Sequence, residues 1–127
     1  RLLHRLKQHL GERLSIWPFD DIVDGKTDLV LVEIFPSLYF HRLGMVSAKK
    51  AAANPAFLNR ALAAYDRTGV TPGVTPIGND ADEADAIIAA AALRYFSSAA
   101  GFTLPAAGLA IARREGWIFG VPYDVSG

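Results

Sequence analysis

Three carboxylates stand out by type and setting. Glu33 lies inside the apolar run Leu29-Val30-Leu31-Val32-Glu33-Ile34-Phe35-Pro36, and Asp82 and Asp85 sit at the mouth of an alanine-rich stretch. A carboxylate in a strand expected to be buried is costly unless something compensates it, and a bound cation is one such partner. On a helix, Asp82 and Asp85 share a face, because their spacing brings them round by almost one turn. Oxygen ligands of this kind suit Mg²⁺ or Mn²⁺, which bind through a few carboxylates plus water and substrate phosphate. Such ions activate a water and stabilise the leaving oxygen in phosphodiester cleavage. The expectation is therefore a metal site in which Glu33, Asp82 and Asp85 are both ligands and catalytic residues.

Each of these residues has a plainer reading beside it. An acidic side chain in the first turn of a helix stabilises the helix dipole with no further role, which covers Asp82. Asp85 lies about one turn further in and is flanked by apolar residues. Glu33 has two structural alternatives: the solvent face of an edge strand, or pairing with an arginine such as Arg60. Asp20 and Asp21 read as turn formers, and Glu115, before Gly116-Trp117, as the anchor of a turn.

Other chemistry is thinly represented. His4 and His9 are badly spaced to share one ion on a helix, and His41 follows Tyr39-Phe40 as a packed or surface residue. Ser37, Ser97 and Ser98 lack a neighbouring His–Asp context. No Gly-rich phosphate loop is present, which argues against an actin-like nucleotide-binding relative. Trp17, Phe19, Phe35, Tyr39 and Phe40 read as core, with a base-stacking platform as the minority alternative. Arg1, Arg5, Lys7 and Arg13 give either a solvated face or a phosphate-contact surface.

The 127 residues suit one domain, residues 1–127, with 51% hydrophobic and 20% charged residues. Thirteen basic residues balance thirteen acidic ones, so no global field draws nucleic acid. Cysteine is absent, which excludes disulfides and thiolate chemistry. That absence fits a reducing, cytoplasmic compartment and equally any other. The longest apolar run, Ala86 to Leu93, is too short to cross a bilayer, and no signal-peptide pattern opens the chain. The first residue is not methionine, and the expectation is a piece of a longer protein.

Positioning these residues requires several elements. Leu2, Leu3, Leu6 and Leu10 predict a helix over 1–10, stopped by Gly11. Leu14 to Trp17 alternates like a strand and ends at Pro18. Residues 29–35 read as a strand buried on both faces. A short helix is expected over 36–43, stopped by Gly44, and another over 55–68 with Phe57, Leu58, Ala61, Leu62 and Tyr65 inward. Residues 69–79 read as loop, and 81–98 as a helix with Asp80 and Glu83 forming a capping box. Residues 101–108 read as loop, 109–114 as a short helix, and 117–121 as a closing strand. So few strands leave unpaired sheet edges, which a missing N-terminal segment or a second chain would complete.

Four segments, taken in order, carry a resemblance: Trp17-Pro18-Phe19-Asp20, Val32-Glu33-Ile34-Phe35-Pro36, Asp82-Glu83-Ala84-Asp85-Ala86 and Glu115-Gly116-Trp117-Ile118-Phe119-Gly120. Together they resemble a family of bacterial and archaeal proteins catalogued as a domain of unknown function (DUF429-like) and predicted to adopt a ribonuclease H-like fold. The resemblance spans nearly the whole chain and covers the C-terminal half of the family's domain. It implies an α/β fold: the C-terminal part of a ribonuclease H-like mixed sheet flanked by helices, incomplete as given. In that superfamily, acidic residues on strands and a late helix hold divalent metals. Glu33 would then be the strand carboxylate, and Asp82 and Asp85 the helix carboxylates. The function implied is a metal-dependent nuclease or related phosphoryl-transfer protein, a fragment or relic of one included, with nucleic acid as partner. The alternative is a noncatalytic interaction or assembly module, homo-oligomeric, that pairs through exposed sheet edges.

Overall fold

A computed structural model describes residues 1–45, 54–66, 81–98 and 101–123. The secondary structure is mixed α/β. The chain divides into two compact units, the first formed by Arg1–Glu33 with Phe102–Gly127 and the second by Ile34–Gly101. No helix among the described residues is long and apolar enough to cross a membrane.

The first unit begins with helix α1, Leu2–Leu10, which Gly11 ends in a left-handed conformation at φ 56°. Its leucines have helical spacing but form no buried face: Leu2 is 71% and Leu3 52% exposed. Strands β1 (Leu14–Ile16) and β2 (Leu29–Leu31) pair in parallel, with Leu14 opposite Leu29, Ser15 opposite Val30 and Ile16 opposite Leu31. The expected strand over 29–35 is corrected here. Its regular ladder stops at Leu31, and Leu29 is 51% exposed, so the strand is not buried on both faces. A continuous apolar run states that both faces tolerate burial, but it does not supply a cover for each. Past the ladder, among the described residues, a parallel bridge between Glu33 and Ile118 continues, with the Phe119 N–H donating to the Glu33 carbonyl at 2.9 Å. The expected closing strand over 117–121 is likewise reduced to this bridge and a turn at Phe119-Gly120.

The loop after β1 is held by its own polar groups. The Asp20 carboxylate accepts from the Ile16 N–H at 2.9 Å and from the Lys7 ammonium at 2.7 Å. The Lys7 hydrogen bond, opposed by partial burial, holds the Asp20 carboxyl below its usual range. Asp21 accepts from Ser15 Oγ through its carbonyl at 2.7 Å and pairs with Arg113 through its carboxylate. Both aspartates are thus turn residues. Helix α2, Ala106–Glu115, is longer than the expected 109–114. Pro105 precedes it, and its carbonyl receives the Leu109 N–H at 2.8 Å, so the three residues expected as loop belong to the helix. Trp17 forms the middle of this unit, edge-on to Phe119 and Phe102 at 5.6 and 6.2 Å between ring centroids.

The second unit is helical. Helix α3 is Pro36–His41, helix α4 is Pro55–Ala64 and helix α5 is Ala81–Ser98. Asn54 caps α4, its side-chain oxygen accepting from the Ala56 and Phe57 N–H groups at 3.1 and 3.3 Å. The helix expected over 55–68 ends at Ala64, with Tyr65 closing it; residues 67 and 68, the loop over 69–79 and the Asp80 cap lie outside the described residues. Helix α5 matches its expected span, and Ala84, Ile88 and Ala92, one turn apart, are completely buried. Alanines on that face let α3 and α4 approach closely, and α5 packs against both. Tyr39 and Tyr65 fill the adjoining space, the Tyr65 hydroxyl donating to the Tyr39 carbonyl at 2.7 Å. Burial pushes the Tyr39 phenol up to about 12 and raises Tyr65 as well.

Ile88→Ala should therefore lower unfolding free energy by about 2–5 kcal/mol, the range for emptying a buried aliphatic site. Urea denaturation followed by far-UV circular dichroism measures this, and a loss below about 0.5 kcal/mol contradicts a core centred on α5.

Candidate functional site

Asp82 and Asp85 occupy the start of α5. Asp82 points to solvent while Asp85 is half-buried, beside the buried Ala84. Oδ1 of Asp85 is shut off from solvent and has no hydrogen-bond partner among the described residues. Burial raises the Asp85 carboxyl above its ordinary value, and the negative charge of Asp82 raises it further. The helix N-terminus works in the opposite direction, favouring both anions. Asp82 and Asp85 lie three residues apart on α5.

Glu33 lies in the first unit, the two aspartates in the second. The premise that its carboxylate is buried in a strand is corrected: Glu33 is exposed, just past the end of β2. The backbone there is fixed by the bridge to Ile118, and the side chain reaches over Gly116, where a built Cβ would lie 3.8 Å from Oε2. Gly116 has φ 86°, a backbone conformation that favours glycine, in the turn after α2. The Glu33 carboxylate forms no hydrogen bond or ion pair among the described residues. The suggested partner Arg60 instead lies over the Phe57 ring, 5.8 Å from its centroid.

Glu33 borders a cleft of about 350 Å³ that lies wholly in the first unit. Ile16, Trp17, Phe19, Leu31 and Trp117 are among its walls. Sequence reasoning treated Trp17 and Phe19 as core and missed the cleft. Trp17 is indeed buried, but Phe19 is 51% exposed. The available signal was that both tryptophans of the chain fall in the quoted segments on either side of Glu33.

The remaining candidates are ordinary surface. His4, His9 and His41 are exposed, and Glu115 pairs with Arg114 at 2.8 Å. Lys7 and Arg13 are engaged with Asp20 and Asp28, which leaves less of the N-terminal basic cluster for phosphate. Among the described residues no group of three or more His, Cys, Asp or Glu side chains is assembled to hold a metal ion. No protein-family model matches the chain, and neither a curated protein nor a solved structure matches it significantly.

Asp85 makes stability depend on pH in a defined direction. Its folded-state value lies above the unfolded 3.8, so the folded chain holds more protons across that window. Stability then falls as pH rises through the window, and the ionised group opposes folding at neutrality. In EDTA, Asp85→Asn should raise the urea midpoint at neutral pH, with the gain gone by about pH 3. A neutral-pH midpoint equal to or below that of the parent contradicts this.

Proposed function

We propose that the chain is part of a metal-dependent phosphoryl-transfer domain acting on nucleic acid phosphodiesters, with the ribonuclease H-like fold implied by the resemblance. One observation carries the reading: a screened, partnerless carboxylate oxygen on Asp85, one turn from the second carboxylate of Asp82. Two anions in that position repel each other, and one is partly desolvated. A divalent cation answers both problems at once, and an all-oxygen donor set suits Mg²⁺ or Mn²⁺. Asp82 and Asp85 would bind the ion through their side-chain oxygens. Glu33 belongs to the first unit and is not assigned to this ion. When bound, the ion supplies Lewis-acid charge at the phosphate and an activated water.

Calorimetric titration with Mn²⁺ tests the reading. The parent should bind with measurable heat, and Asp82→Asn and Asp85→Asn should each abolish that heat while keeping the far-UV spectrum. Unchanged Mn²⁺ binding in both aspartate variants overturns the proposal.

The second reading, an assembly module, has its own support. Among the described residues the regular sheet has only two strands, and Leu29 at its edge is half exposed. Open edges of this kind accept a further strand from another chain. Sedimentation equilibrium separates the readings: a stable dimer that takes up no Mn²⁺ supports assembly, and a monomer at all loading concentrations removes it.

A further inference from the structure

The cleft beside Glu33 has an unusual chemical balance. Its walls are hydrocarbon and aromatic, contributed by leucine, isoleucine, valine, proline and phenylalanine side chains and both indoles. Each indole N–H is already spent on a backbone carbonyl, Trp17 on Phe102 at 3.1 Å and Trp117 on Val121 at 3.0 Å. The tryptophans therefore offer a ligand aromatic surface but no donor. The one charged side chain in the lining is Glu33, and its carboxylate has no hydrogen-bond or ion-pair partner among the described residues. The cleft thus combines an apolar surface with one negative charge at its wall.

That combination selects its ligand. Anions meet repulsion, and a neutral apolar molecule leaves the carboxylate unused. A hydrated divalent ion needs several oxygen ligands, and these walls supply one carboxylate. An organic cation satisfies every surface: its charge meets Glu33, its carbons displace water from the apolar walls, and aromatic rings attract positive charge. The volume of about 350 Å³ falls at the low end of small-molecule sites, roughly 300–1,000 Å³. We propose that this cleft is a binding site for a small organic ammonium ion, an alkyl- or arylalkylamine, with Glu33 as its counter-charge. The site is separate in chemistry from the oxygen pair at Asp82 and Asp85 and goes beyond the metal-dependent reading.

The chain provides its own reporter, because its only two tryptophans both line the cleft. Titration in EDTA with 2-phenylethylammonium should change the indole emission saturably. The neutral 2-phenylethanol and the anionic 3-phenylpropionate should bind at least about tenfold more weakly. Glu33→Gln should weaken the amine about tenfold and erase its advantage over the alcohol, with an unchanged urea midpoint. Asp85→Asn should leave the amine response intact, so loss of Mn²⁺ binding and loss of amine binding are separable results. The proposal is overturned if the amine gives no saturable change, if alcohol or anion binds as tightly, or if Glu33→Gln binds the amine like the parent.

Discussion

Trp17 is the contact on which the first unit depends. Its backbone N–H donates to Leu31 at 2.9 Å, its indole N–H to Phe102, and its ring meets Phe102 and Phe119 edge-on. One residue therefore joins the end of β1, the end of β2 and the chain segment that returns after residue 101. An aromatic side chain of this size brings 150–250 Å² of surface (about the largest a residue can offer) out of water. The link to Glu33 is short: Trp17 orders Phe119, and Phe119 N–H holds the Glu33 carbonyl. The place of the acid is set by aromatic packing, not by its own charge.

Helix α5 imposes a different constraint. Its buried face runs through Ala84, Ile88 and Ala92, and helical geometry puts Asp85 at the margin of that face. Small side chains draw the neighbouring helices inward, which brings protein atoms over one carboxylate oxygen. The two acidic places on this chain thus differ in what surrounds them. At Asp85 the shortage is of donors to oxygen. At Glu33 carbon surfaces predominate and the carboxylate is exposed. The same functional group is prepared for different ligands by its neighbours.

The helices were legible because their signals are local. Gly11 and Gly44 mark helix ends, and the alanine run after Asp82 marks a helix, by mechanisms that act within about one turn. The extent of β2 was not legible, because a strand's burial depends on partners distant in sequence. Leu29 to Phe35 carries the composition of an interior strand yet has a regular ladder over only its first three residues. Glu33 was misjudged for the same reason: its exposure follows from where the ladder stops. The shared face of Asp82 and Asp85 could be read from spacing alone, whereas the screening of Asp85 Oδ1 required knowing what packs beside Ala84. The cleft was hidden because its walls come from α1, both strands and the segment after Gly116, which no short window of sequence brings together.

The first unit is assembled from two stretches of chain separated by the whole of the second. During synthesis, every residue of the second unit is polymerised before Phe102 and Phe119 are added. The helical unit closes over neighbouring residues, while the aromatic cluster must wait for a loop spanning 18–101 to be bridged, at an entropic cost that grows with the logarithm of its length. Nascent β1 and β2 accordingly gain their aromatic cover only after residues 34–101 have been made.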